Sequence, residues 1–148
     1  LRSGTENVFG IKCFELAALK RFDKLDQSYK FVKELNFAMR SFLDKNLFRI
    51  ISSENASPYI LTVSACGLRG ETVLHEAEDN GLIIGTGSAC SSNAKKRYSR
   101  IILACGIDEV EADGILRLSF SPDNTLEEVD KAAEILNRIV KNRKDIMA

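Results

Sequence analysis

Between Ile115 and Phe120 the apolar residues Leu116, Leu118 and Phe120 fall on every second position, with Arg117 and Ser119 between them. A strand turns successive side chains to opposite faces. This segment therefore offers one face to a core and carries a cation on the other. One apolar face must be covered by another layer, and the rest of the chain supplies the parts. Tyr59 to Ala65 alternates, with Leu61 and Val63 on one face, and Phe48 to Ser52 and Leu82 to Ile84 read as further short strands. Ser57-Pro58 marks a turn that makes the first two strands a hairpin.

Three long stretches carry apolar residues at helical spacing. The first holds Val8, Ile11, Phe14, Ala18 and Phe22, and the second Leu25, Tyr29, Val32, Leu35, Met39 and Phe42. Lys24, Lys30, Lys33 and Arg40 stand largely off the second stripe. The third holds Leu126, Val129, Ala133, Leu136 and Val140. It opens with Thr125 and Glu128, the S/T-x-x-E pattern of a capping box. Asp123 and Glu127 add negative charge near the positive end of its dipole. Shorter helices are predicted over Glu71 to Asp79, stopped by Asn80-Gly81, and around Ser99 to Ala104. The order α-α-β-β-α-β-α-β-α predicts an α+β fold, a small and mostly antiparallel sheet with helices on one face. With no repeat or linker, residues 1–148 read as one domain.

The charges balance, 21 Lys+Arg against 21 Asp+Glu, so direct binding of nucleic acid is not expected. No apolar run approaches the ~20 residues of a membrane span, and LRSGTENVFG lacks the form of a signal peptide. The four cysteines, Cys13, Cys66, Cys90 and Cys105, form no CxxC pair, and His75 is the single histidine. No metal site is expected, and reduced thiols in a cytoplasmic protein are the default.

The chemistry is concentrated in Gly85-Thr86-Gly87-Ser88-Ala89-Cys90-Ser91-Ser92-Asn93, small and polar residues that follow a strand. Such a loop presents Cys90 to a reactant, although a loop thiol with no role fits the same pattern. Cys13 in the first helix, Cys66 at a strand end and Cys105 at a helix end read as small buried hydrophobes. Gly85-x-Gly87 is no dinucleotide fingerprint, since Cys90 stands where the third glycine belongs, and no GK[ST] follows to make a P-loop. Arg117 has two readings: a guanidinium turned to solvent, or a planar fork matched to a carboxylate. Lys95, Lys96, Arg97 and Arg100 form a basic cluster, either solvated surface or a docking patch for an acidic or RNA-carrying partner. His75 reads as structural or surface.

Gly87-Ser88-Ala89-Cys90-Ser91-Ser92 resembles the active-site cysteine motif of cysteine desulfurases of the NifS/IscS type, pyridoxal-phosphate (PLP) enzymes of the class-V aminotransferase family. Three further segments are similar in order and spacing: Leu1-Arg2-Ser3-Gly4-Thr5-Glu6-Asn7, the stretch from Glu71 through Ile84, and Leu116-Arg117-Leu118-Ser119 with the helix after it. The resemblance implies the C-terminal small domain of a fold-type I PLP enzyme, with 1–22 as the segment returning from the large domain. It implies an enzyme that converts L-cysteine to L-alanine and leaves a persulfide on the loop cysteine. That sulfur passes to an acceptor such as an iron–sulfur scaffold or a tRNA-thiolation enzyme.

By the same resemblance, Cys90 matches the nucleophile and Arg117 the arginine that holds the substrate carboxylate. Thr5 matches the threonine that reaches the PLP phosphate of the partner subunit in the family's homodimer. The family's PLP-binding lysine lies in a motif upstream of RSGT that this sequence lacks, so the chain alone is expected to be inactive. Lys95-Lys96-Arg97 replaces an acidic-proline stretch common in housekeeping members, and the GSAC context matches the long-loop class. Two alternatives stand beside this reading: a non-catalytic interaction or sulfur-accepting module that keeps the fold, and a relative acting on selenocysteine.

Overall fold

The computed structural model describes residues 4–87 and 100–147. Helices α1 (Val8–Phe22) and α2 (Leu25–Phe42) lead into strands β1 (Phe48–Ile50) and β2 (Ile60–Ala65). Helix α3 (Gly70–Asp79) and strand β3 (Gly85–Thr86) follow. Beyond them come α4 (Arg100–Ala104), α5 (Glu109–Asp113), β4 (Ile115–Ser119) and α6 (Leu126–Met147). The sheet runs β1-β2-β4-β3, and every pairing among the described residues is antiparallel. The fold is α+β, as the sequence predicts.

The alternation in the sequence sets the layering. Leu61, Val63, Leu116, Leu118 and Phe120 are all buried on one face of the sheet, where α2, α3 and α6 cover them. Val32, Leu35 and Met39 come from α2, Val73 and Ala77 from α3, and Val129, Ala133, Leu136, Ile139 and Val140 from α6. Polar groups fix the helices to each other and to the loops. Asn137 on α6 donates to the Phe42 carbonyl at 2.9 Å and accepts from the Asp44 amide at 3.0 Å. It thereby occupies backbone groups that the end of α2 leaves without helical partners. Asn36, also buried, donates to the Pro58 carbonyl at 2.9 Å and ties α2 to the β1–β2 connection.

The two helix signals read from sequence are present as geometry. The Glu128 amide donates to Thr125 Oγ1 at 3.2 Å, and the Thr125 amide donates to Glu128 Oε2 at 3.0 Å, a reciprocal capping box. At the end of α3, Gly81 takes φ +76°, its amide donates to the Glu78 carbonyl, and the Leu82 amide donates to the Ala77 carbonyl. This is a complete Schellman motif.

The backbone hydrogen bond from Thr125, reinforced by the side chain of Asn124, holds the Glu128 carboxyl below its ordinary range. A lowered folded value means stability that is present above the unfolded carboxylate value and lost as pH falls through the folded one. Glu128→Gln is therefore expected to lower the melting midpoint at neutral pH, with a gap that closes below about pH 4. A gap of the same size at neutral and acid pH would show that the charge is irrelevant to the cap.

Three sequence readings need correction. Leu82 to Ile84 is not a strand. The Leu82 amide is committed to the cap of α3, Ile83 is 89 % exposed, and pairing with β4 begins only at Gly85. Among the described residues two helices, not one, separate β3 from β4. Ile115 lies on the Arg117 face, where alternation places it, and is buried there. Finally, α1 buries nothing: Val8, Phe9, Ile11, Phe14, Leu16, Leu19 and Phe22 are all exposed. The residues between the predicted stripe positions are apolar too, so no single face is marked for this core. The stripe of α2 is buried only in its middle, since Leu25, Tyr29 and Phe42 are exposed. Leu126, which opens the α6 stripe, is exposed as well.

Candidate active site

The face of the sheet turned away from the core helices carries Arg117. On β4 it stands in register with Thr62 of β2 on one side and Gly85 of β3 on the other. One end of this face is closed by α5. Asp108 caps that helix by accepting from the Glu111 amide at 2.8 Å. The Ser64 hydroxyl donates to the Glu111 carbonyl at 2.8 Å, and Arg49 of β1 ion-pairs with the Glu111 side chain. Gly87 sits against Ile115, where a Cβ on the glycine would stand 3.0 Å from Ile115 Cγ2. Toward the other end Arg117 and Ser119 are exposed.

Arg117 is exposed there, and among the described residues it forms no hydrogen bond or ion pair. Most arginines whose side chains are described do find partners: Arg49 pairs with Glu111, Arg69 with Glu71 and Arg143 with Glu76. Arg40 spends its guanidinium on the Asn36 side chain and the Ser52 and Ser53 carbonyls. A cation with both edges of its fork free is ready to receive a planar anion in a bidentate pair.

Strand β3 places that cation beside the chain that leads to Cys90. Cys90 and the basic residues Lys95, Lys96 and Arg97 lie outside the described residues, as does the side chain of Arg100. Cys90 follows Gly87 by three residues, a tether of at most about 11 Å. Thr5 is exposed ahead of α1, and no hydrogen bond or ion pair among the described residues links it to β3 or β4. His75 is exposed on α3. Cys66 is half-buried, but Cys13, on α1, and Cys105, just past the end of α4, are exposed rather than buried. Gly85 was not singled out by sequence reasoning. Its importance lies in a cross-strand register with a residue 32 positions away, and only the assembled sheet reveals it.

The class-V aminotransferase model matches residues 1–132. The chain belongs to that family. Among curated relatives, a NifS/IcsS protein homolog of Lactobacillus delbrueckii subsp. bulgaricus is 32 % identical over 146 residues, covering 96 % of this chain and 37 % of the relative. A cysteine desulfurase IscS of Clostridium botulinum is 38 % identical over 89 residues, covering 60 % of this chain and 22 % of its own length. Among solved structures, a NifS-like protein superposes with a TM-score of 0.80 at 29 % identity, over 95 % of this chain and 35 % of the other. A NifS-like protein from Rickettsia africae gives 0.79 at 25 %, over 95 % and 36 %. This class-V aminotransferase chain thus spans little more than a third of the length of such relatives.

The family implies PLP. That cofactor needs a lysine amine, an acidic partner for its ring nitrogen and a cradle for its phosphate. The neighbours of Arg117 in the sheet, Gly85 and Thr62, supply neither amine nor carboxylate, and Thr5 offers one exposed hydroxyl. The neighbours of Arg117 in the sheet therefore do not by themselves make a PLP site.

Proposed function

We propose that this chain is the sulfur-accepting part of a cysteine desulfurase whose complete form binds PLP and acts as a homodimer. Arg117 carries the reading: an exposed, unpaired guanidinium on the open sheet face, in register with the strand that runs toward Cys90. In this reading Arg117 holds the carboxylate of L-cysteine, and the Cys90 thiol takes its sulfur. A bond forms between the two sulfur atoms, the carbon–sulfur bond of the substrate breaks, and the carbon takes up a proton. The products are L-alanine and a persulfide on Cys90, which passes to an acceptor protein. PLP, held by the rest of the enzyme, supplies the electron withdrawal that this cleavage requires. Thr5 lends its hydroxyl to the cofactor phosphate of the partner subunit.

The exposed apolar surface of α1 supports a chain that works inside something larger, since such a surface is covered in a working protein. No helix among the described residues is long and apolar enough to cross a membrane, and we place the enzyme in the cytoplasm.

The test compares the protein from the complete reading frame with the chain 1–148. The complete protein is expected to form alanine from L-cysteine and to show PLP absorbance that borohydride fixes to one lysine, while the short chain shows neither. Alanine formation by the short chain would overturn the fragment reading. A complete protein that forms no alanine would overturn the enzyme reading in favour of a non-catalytic module, and one that acts only on selenocysteine would redefine the substrate.

A further inference from the structure

Gly85 has no evident reason to be glycine for the backbone's sake. Its φ is not among the positive values, which belong to Gly4, Gly67, Gly81 and Gly106. Nor does the surrounding main chain exclude a side chain, as it does at Gly70 and Gly114, where a Cβ would stand 2.6 and 2.5 Å from carbonyl oxygens. The three heavy atoms nearest to a Cβ on Gly85 all belong to Arg117: Nη2 at 3.5 Å, Nε at 3.6 Å and Cβ at 3.8 Å. The arginine stem and guanidinium lie across the bare backbone of β3.

In an antiparallel pair the two facing side chains normally constrain each other, with Cβ atoms about 4.5–5.5 Å apart. Here one side chain is missing and the other has moved into its space. Among the described residues the guanidinium has no hydrogen bond or ion pair. We infer that Gly85 is a positioning residue for Arg117, a seat without a side chain that fixes where the guanidinium rests and so where it meets a carboxylate. The inference rests on the reading of Arg117 as the carboxylate-binding group.

The size of the replacement decides the outcome. An alanine methyl at 3.5–3.8 Å makes ordinary contact and leaves the guanidinium in place. A β-branched residue sends γ atoms into the volume the guanidinium fills and pushes it off the strand. Valine is a strong strand former, so a loss at this position is not explained by a weakened β3.

The experiment uses the full-length PLP-loaded enzyme with L-cysteine. Gly85→Ala is expected to behave like the wild type. Gly85→Val is expected to raise KM by roughly tenfold, the loss of one well-placed charged hydrogen bond, with kcat and PLP absorbance little changed. In an Arg117→Ala background, Gly85→Val is expected to add nothing further. Gly85→Ser, with one γ atom, should fall between Ala and Val, and it stands in if the valine variant does not fold. An unchanged KM in Gly85→Val, or the same loss with and without Arg117, would overturn the inference while leaving the carboxylate role of Arg117 intact. An unchanged KM in Arg117→Ala would instead remove the underlying reading, and the inference with it.

Discussion

Cys90→Ser in the full-length enzyme is expected to abolish sulfide release from L-cysteine while PLP absorbance stays at its wild-type level. The sulfur-transfer step needs a thiolate that forms a sulfur–sulfur bond and then gives that sulfur up by exchange. A serine hydroxyl does neither. The loss should therefore be complete rather than graded, and the wild-type peptide containing Cys90 should gain the mass of one sulfur atom after exposure to substrate. Exposure does not by itself mark a reactive cysteine, since Cys13 and Cys105 are exposed. Cys13→Ser and Cys105→Ser serve as matched controls and should keep full activity. Sulfide release by Cys90→Ser, or its loss in either control, would remove Cys90 from its assigned place.

Arg117→Ala is the second large effect, and its size is informative. As an exposed pair, guanidinium and carboxylate would contribute no more than about 1 kcal/mol. Enclosed by substrate and the rest of the enzyme, loss of the cation leaves a desolvated carboxylate and costs about 2–5 kcal/mol, a rise in KM of roughly thirty-fold to several thousand-fold. A rise in that range indicates that the open face of the sheet is closed over in the working enzyme. Arg117→Lys should recover only part of the loss, since a point charge does not reproduce the planar fork. If KM is the same in Arg117→Ala and the wild type, the carboxylate is held elsewhere.

The layering was legible because it rests on short-range periodicity. Leu61 and Val63, and Leu116, Leu118 and Phe120, each mark a buried face that no other arrangement of those strands would satisfy. Arg117 was legible for the same reason, as the position between buried ones. Thr125 with Glu128 and Asn80 with Gly81 were legible because capping is local chemistry. The misreadings arise where a residue answers to something distant. Leu82, Ile83 and Ile84 look like a strand by composition, but the helix cap takes the first amide. Ile115 keeps the face its alternation gives it, but its burial there, with Gly87 against its side chain, is not visible in that alternation. The apolar residues of α1 announce burial without saying against what. Gly85 looks like a loop residue until β3 is laid beside β4.

Among the described residues, strand β3 is two residues long and pairs with β4 at the edge of the sheet. Detaching it breaks a few hydrogen bonds and leaves the β1-β2-β4 ladder and the helical layer in place. Such an edge opens locally far more often than the domain unfolds. The seat under Arg117 exists only while β3 is paired with β4. A carboxylate that binds the docked form alone shifts that equilibrium by mass action. If Arg117 holds the substrate carboxylate as proposed, amide protection at Gly85 and Thr86 is expected to rise with occupancy.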